Sequence, residues 1–309
     1  MTKKIRMIIA AVLTSAMLLG VTACGETTAV TTAATTTTAA ATTAAASDDA
    51  AATTAKVTET EAASLSGSLI LTGSTSMADV TTALAEAFMA ANNDVTVSVG
   101  GNGSGEGPTA VTDGTAQIGL LSRDLKDTEN PTTFDKYIIG FDGIAVIVNS
   151  ASGVSGLTTE QVGKIFKGEI TNWKDVGGTD AKIQCIGREA ASGTRGAFEE
   201  LMDIKDAAVY AEEQNSTGNV KQAVSANPNA IGYVSLSAVD ETITAVTLDG
   251  VAASEETVKS GDYTLQRPFV MITKAGTTDA LAKAFLDYVF SDAGMQIVLD
   301  DGVVPNPGK

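Results

Sequence analysis

The sequence GREAASGTRG at Gly187–Gly196 is the strongest indication of the fold that we predict for this chain. It follows a short apolar run at Ile183–Ile186 that is typical of a buried strand, and it leads into Ala197–Met202, where a helical pattern starts. Two more turns rich in glycine and hydroxyl groups, Thr72–Ser76 and Gly101–Gly105, also separate a strand pattern from a helical one. This alternation predicts an α/β architecture with mainly parallel sheets.

The same stretch carries a candidate anion site. The first N–H groups of a helix lack intrahelical partners, and the helix dipole is positive at that end. Ser192 and Thr194 add hydroxyl donors, Gly193 allows a close approach of the backbone, and Arg188 or Arg195 can form two bonds to one ligand. We interpret the loop as a grip for a small tetrahedral oxyanion; the alternative is an ordinary capped helix with two surface arginines. Ligands of open α/β sheets bind beyond the carboxyl ends of strands, so we expect the three turns to share one site.

The first 66 residues differ in composition from the rest of the chain. Three basic residues precede the apolar run Met7–Val21, which is short for a membrane span, and small residues then precede Cys24. We predict a bacterial lipoprotein signal peptide at residues 1–24, with Cys24 as the lipid-carrying N-terminus; an uncleaved anchor and an ordinary signal are the alternatives. Residues 25–66 are mostly Ala and Thr without an apolar period, which predicts a disordered tether.

The composition argues against several classes of function. The chain contains no histidine, the commonest metal ligand and general base, which argues against most catalytic triads and zinc hydrolases. We expect no catalytic site and no metal, and we also expect no other cofactor. The formal charge of −17 disfavours a nucleic-acid partner. If Cys24 carries lipid, the second cysteine, Cys185, has no disulfide partner, and its apolar surroundings predict a buried side chain.

Several motifs together resemble the phosphate-binding proteins of high-affinity phosphate ABC transporters. The most specific are KIFKGEITNW at Lys164–Trp173 and the spacing Arg-x-x-x-Ser-Gly-Thr at Arg188–Thr194. The likeness extends from Ser68 to the C-terminus, and its other matches are Gly73-Ser74-Thr75, Gly101–Gly105, Ala116–Gly119 and Ala230–Val234.

This resemblance implies a periplasmic-binding-protein-like fold of type II. Two α/β lobes would be joined by two crossover strands, and the ligand would bind in the cleft between the lobes. Lobe one would comprise residues 67–145 plus 268–309, and lobe two residues 146–267. The chain would cross near Ile144–Asn149 and Arg267–Ile272.

The resemblance also implies a set of oxyanion ligands from the three turns. By position these are Thr75, Ser76, Ser104, Arg188, Ser192, Gly193 and Thr194. Charge-assisted bonds of this kind contribute roughly 1.5–3 kcal/mol each. Independently of the resemblance, we expect Glu189 to pair with Arg188 and orient it; the alternative is a solvated surface charge.

One position departs from the family pattern. Many relatives carry an aspartate shortly after the Ile-Gly step, where it accepts the proton of phosphate and repels sulfate. Ser122 stands there in this chain and can accept only through its hydroxyl oxygen. Asp142 interrupts an apolar strand and is the candidate replacement; alternatively, it pairs with Arg123 or caps a turn.

The function implied is that of an extracytoplasmic, monomeric binding protein that captures inorganic phosphate and delivers it to ABC permease subunits. The Cys24 lipid would hold it on the outer face of the cell membrane, and the long tether indicates a Gram-positive surface. One alternative is the same fold with sulfate, molybdate or tungstate. Others are a wall-associated adhesin and a secreted phosphatase, for which the chain offers no general base beside a nucleophile.

Overall fold

The computed structural model describes residues 65–308. The predicted signal peptide, the predicted lipid attachment at Cys24 and the predicted tether up to residue 64 lie outside the described residues. Within the described range, no helix combines the length and the apolar character needed to cross a bilayer.

Helices and strands alternate through most of this range. The strands are β1 Gly67–Gly73, β2 Val95–Gly100, β3 Ile118–Leu121, β4 Phe134–Val148, β5 Gly156–Leu157, β6 Gln184–Arg188, β7 Glu212–Gln214, β8 Ala230–Ser235, β9 Thr244–Ala245, β10 Thr247–Leu248, β11 Gln266–Lys274 and β12 Val304–Pro305. The α-helices are α1 Ala78–Ala91, α2 Glu106–Asp113, α3 Thr159–Phe166, α4 Gly193–Leu201, α5 Thr217–Ala226, α6 Glu255–Ser260, α7 Ala280–Val289 and α8 Asp292–Asp300.

Lobe one is built on β2, β1 and β3, which run parallel, with β11 added antiparallel to β3. Its strands show the expected alternation: Val95 and Val97 of β2 are buried, whereas Thr96 and Ser98 are exposed. Helices α1, α7 and α8 pack on this sheet, where the Phe88 and Phe285 rings meet edge to face. Burial of these apolar faces holds the lobe together.

Lobe two is built on β8, β6 and β7, which are also parallel, and its core lies against α3 and α4. Phe166 of α3 and Phe198 of α4 pack against Tyr233 of β8. The indole of Trp173 is fully buried and donates to the carbonyl of Asn229 at 3.1 Å. Aromatic side chains therefore form part of the buried core of lobe two.

The two lobes are connected through β4 and β11. β4 is 15 residues long, and it pairs antiparallel with β11 up to Gly143 and with β8 from Ile144 onward. The prediction of mainly parallel sheets is therefore confirmed only for β1, β2 and β3 of lobe one and for β6, β7 and β8 of lobe two. β4 and β11 pair antiparallel with each other and with their neighbours in both lobes, because the chain enters and leaves lobe two on neighbouring strands. The predicted lobe limits of 67–145 plus 268–309 and 146–267 remain a prediction.

The lobes meet across the cleft through two loops. The backbone N–H of Gly105 in lobe one donates to the carbonyl of Ala191 in lobe two at 3.0 Å. Gly103 has a φ of +130°, and a Cβ on it would lie 2.8 Å from Glu189 Oε1. Only glycine fits both this backbone angle and this close approach. The structure is therefore a closed form of the two-lobed fold.

Candidate functional site

The three predicted turns are helix starts, as the sequence indicated. Ser74 caps a short 3₁₀ turn, Thr75–Met77, that leads into α1, and its hydroxyl accepts from the Ser76 N–H. Gly105 precedes α2, and Ser192 caps α4. Each turn follows the carboxyl end of a parallel strand, so the positive ends of three helices point towards the cleft.

Hydroxyl groups from both lobes meet between these turns. We define the hydroxyl cluster as Thr75, Ser76, Ser104 and Ser122 of lobe one together with Thr194 and Thr217 of lobe two. The Ser76 and Thr194 hydroxyl oxygens lie 2.7 Å apart across the cleft. Ser104 accepts from the Ser122 N–H at 3.0 Å, and the two hydroxyl oxygens are 3.3 Å apart. Apart from Thr75, which is partly buried, every member is at most 5% exposed.

Gly193 of lobe two lies directly against Ser104 and Ser122 of lobe one. A Cβ built on this glycine would overlap the Ser104 hydroxyl and would lie 2.6 Å from that of Ser122. The first N–H groups of α4 can therefore approach these serines only because position 193 carries no side chain.

Arg188 is the buried cation beside the cluster, with an exposed fraction of 1%. Its Nε and Nη2 donate to the two carboxylate oxygens of Glu189, each at 2.8 Å, which confirms the predicted pairing. Its Nη1 donates to the Thr217 hydroxyl at 3.2 Å. The paired carboxylate fixes the guanidinium plane, as expected of a bidentate interaction.

The second arginine of the loop has another position. Arg195 donates to the Arg188 carbonyl, to Glu199 and to Glu213, and its guanidinium lies over the ring of Tyr210. Of the two arginines that the sequence offered as anion ligands, only Arg188 contacts the hydroxyl cluster. Arg195 supports the backbone from which Arg188 projects.

Ser192 lies in the same loop and is 3% exposed. Its hydroxyl accepts from the Arg195 N–H at 3.2 Å, the usual interaction of an N-cap residue. A contribution of Ser192 to an anion remains a prediction.

Asp142 is fully buried and lies where the chain crosses between the lobes. Its Oδ2 accepts from Nε and Nη2 of Arg267, at 3.2 and 2.8 Å, and its Oδ1 accepts from the Ser235 hydroxyl at 2.7 Å. Burial raises the pKa of the Asp142 carboxyl, while Arg267, Ser235 and the Leu236 N–H oppose the rise. Asp142, which the sequence suggested as the acceptor of a ligand proton, therefore pairs with Arg267. The alternative partner, Arg123, forks onto Glu129 instead.

Thr217 is the cluster member that the sequence analysis missed. The apolar positions of this helix begin only at Val220, whereas α5 begins at Thr217 and Ser216 is its N-cap. The signal was present, because Ser216-Thr217-Gly218 combines hydroxyls and glycine as the other three turns do. It follows β7, a polar edge strand of sequence EEQ, so no apolar run marked the turn.

The chemistry of the cluster is that of anion binding. Guanidinium, hydroxyl and helix N-terminal N–H groups can all donate to ligand oxygens. No group of His, Cys, Asp and Glu suited to a metal ion occurs in residues 65–308. A cavity of about 300 Å³, lined in part by Thr75, Ser76, Asp79 and Thr217, adjoins the cluster.

Comparisons with known proteins agree with this geometry. A family model described as a PBP superfamily domain matches residues 21–293. The phosphate-binding protein PstS of Bacillus subtilis is 36% identical over 247 residues, which cover 78% of this chain and 81% of that protein. PstS of Pseudomonas aeruginosa is 33% identical over 278 residues, which cover 81% and 86% of the two chains.

Two solved structures extend the agreement to the fold. One, from Clostridium perfringens, is assigned as a phosphate ABC transporter substrate-binding protein and was solved with bound phosphate. It is 38% identical, with a TM-score of 0.75, and the match covers 78% of this chain and 100% of that one. The other, an ABC-type phosphate transport receptor from Vibrio cholerae, is 34% identical with a TM-score of 0.65, and the match covers 77% and 100%. The chain therefore belongs to the PBP superfamily and, within it, to the family of PstS phosphate-binding proteins.

Proposed function

We propose that this protein binds inorganic phosphate between its lobes and delivers it to the permease of an ABC transporter. The observation that carries the proposal is the convergence of three helix N-termini, the hydroxyl cluster and Arg188 at one buried place between the lobes. The net charge of the chain is −17, so an anion can be held only where such local donors outweigh the overall field. The names of the PstS relatives and the phosphate-containing relative from C. perfringens support phosphate as this anion.

The proposed ligand set follows from the sequence and from the contacts within the cluster. Thr75, Ser76, Ser104 and Ser122 would bind from lobe one, and Arg188, Gly193 and Thr194 from lobe two. Ser192 would contribute through the helix start that it caps. Asp142 would act through Arg267, as its buried counter-charge, and would not take the ligand proton itself.

The second candidate is another tetrahedral oxyanion, such as sulfate or molybdate. One observation favours it: both carboxylate oxygens of Asp142 already accept hydrogen bonds, and Ser122 can accept a ligand proton without repelling an unprotonated anion. Isothermal titration calorimetry of the folded domain with phosphate, sulfate and molybdate separates the two. Tighter binding of phosphate supports our proposal, and equal or tighter binding of sulfate overturns it.

Several finer features are part of the same proposal. The protein would be a monomer, free of catalytic activity, with lobes comprising residues 67–145 plus 268–309 and 146–267. A lipid on Cys24 would anchor it to the outer face of the cell membrane, in a Gram-positive cell, and the tether would hold the domain at a distance from the bilayer. Phosphatase activity that survives metal chelation and disappears in Ser192→Ala would contradict the non-enzymatic role.

A further inference from the structure

A fourth helix start meets the hydroxyl cluster, in addition to the three that the sequence indicated. Helix α5 has ten residues, and the Ser216 hydroxyl caps it by accepting from the Asn219 N–H at 3.1 Å. The Thr217 side chain is therefore not needed as the cap. It is 5% exposed and turned towards the other lobe.

Thr217 contacts lobe one across the cleft, although the start of its own helix does not require such contacts. Its hydroxyl oxygen lies 3.0 Å from Ser76 Oγ and 3.4 Å from Thr75 Oγ1, and both of these residues belong to lobe one. Its backbone N–H also donates to Thr75 Oγ1, at 3.3 Å. On its own side of the cleft, the same hydroxyl accepts from Nη1 of Arg188 at 3.2 Å.

The direction of these bonds gives Thr217 its role. A guanidinium only donates, so the Thr217 hydroxyl must accept from Arg188 and keeps its single proton for another acceptor. That acceptor is a hydroxyl of lobe one or an oxygen of a bound anion. One side chain thus connects the buried cation of lobe two with the first turn of lobe one.

We propose that Thr217 is a further ligand-binding residue that also clamps the lobes together around the anion. This inference rests on the proposed phosphate-binding function. The residue would hold Arg188 in position and stabilise the closed form, so it would slow the release of phosphate more than it affects capture. Affinity differences between related complexes arise mostly from dissociation rates, as such a clamp requires.

Other buried threonines supply matched controls. The hydroxyls of Thr81 and Thr273 are buried without a hydrogen-bond partner in the described part of the chain. Replacing Thr81 by the isosteric Val removes an unpaired polar group, so we expect no loss of stability and no change in phosphate binding. Thr217→Val is also isosteric, but it removes a hydroxyl that has hydrogen-bond partners. Thr217→Ser keeps that hydroxyl.

The test measures phosphate affinity by calorimetry and phosphate release by a radiolabelled-phosphate chase. For Thr217→Val we expect binding weaker by about tenfold to a hundredfold, the effect of losing hydrogen bonds to charged groups. The release rate should account for most of this loss. Thr217→Ser should bind within about threefold of the wild type, as should Thr81→Val.

The outcomes distinguish this inference from the function on which it rests. A wild-type protein that binds no phosphate refutes the proposed function. A wild-type protein that binds phosphate while Thr217→Val binds equally well refutes the role of Thr217 alone. A lower melting temperature of ligand-free Thr217→Val with unchanged release would also overturn the inference, because it would make Thr217 a residue of the fold only.

Discussion

Replacing Arg188 by methionine removes the guanidinium and keeps a side chain of similar length. Arg188 donates to a hydroxyl of the cluster, that of Thr217 at 3.2 Å, whereas Arg267 donates to the backbone carbonyl of Ser122 at 3.4 Å. Arg188 is 1% exposed, so solvent cannot take over its role. We expect phosphate binding to suffer far more than folding.

The magnitude follows from the burial and the pairing of this residue. Bound phosphate would form a buried ion pair with Arg188, and removing one partner of such a pair costs about 3–5 kcal/mol. Since about 1.4 kcal/mol corresponds to a tenfold change, phosphate should bind weaker by a factor on the order of a hundred to several thousand. The loss of Arg188 also leaves the Glu189 carboxylate without its partner beside the cleft. This carboxylate would then repel phosphate, so we expect the loss of affinity to lie towards the upper end of this range.

Isothermal titration calorimetry with phosphate measures the effect, and thermal unfolding without phosphate monitors the fold. Arg123→Met is the matched control, because Arg123 is also buried and forks onto a carboxylate, that of Glu129, at 2.7 and 2.8 Å. The control should lose stability and keep phosphate affinity within about threefold. If Arg188→Met also binds phosphate within about threefold of the wild type, the anion binds elsewhere and Arg188 is not its counter-charge.

Three other substitutions test separate parts of the account. Asp142→Asn should lower the free energy of unfolding by about 3–5 kcal/mol in urea denaturation, because it leaves the buried Arg267 without its counter-charge. If this variant keeps its stability but loses preference for phosphate over sulfate, Asp142 is instead the acceptor of the ligand proton. Burial, together with the charges of Asp79 and Asp142, raises the pKa of the Asp301 carboxyl to about 7. Between about pH 4 and pH 7 the folded protein therefore keeps the proton on Asp301, whereas the unfolded chain has lost it. Wild-type stability consequently falls as the pH rises through this range. Asp301→Asn should be more stable than the wild type by about 1–2 kcal/mol at pH 8, after allowance for partial solvent exposure, and the advantage should shrink towards pH 4; an advantage independent of pH would contradict this. Cys24→Ser should abolish palmitate labelling and release the protein from the membrane fraction, and continued membrane retention would argue against the lipid anchor.

The helix starts of the site could be predicted because their signals are local. Gly193 and Ser104 lie in short runs of glycine and hydroxyl residues between an apolar strand pattern and a helical one, and these residue types cap helices wherever the chain turns sharply. The two-lobed fold was implied by the resemblance of the motifs, and the family match and the solved relatives confirm it.

Contacts between distant segments could not be predicted from local patterns. Asp142 and Arg267 are 125 positions apart and face each other only because β4 and β11 pair in one particular register. Thr217 was missed because the preceding strand is a polar edge strand, which lacks the apolar run that marks a buried strand. The Asp142–Arg267 pair and the contacts of Thr217 both join segments that are far apart in the sequence.

A crystal structure of the protein grown with phosphate would show whether the anion lies in the cleft. We expect one phosphate ion between the lobes, with oxygen atoms within about 2.7–3.2 Å of Arg188 and of hydroxyl oxygens from both lobes, Ser104 and Thr194 among them. A phosphate ion bound outside the cleft, or held by one lobe alone while the two lobes are closed, would contradict this expectation.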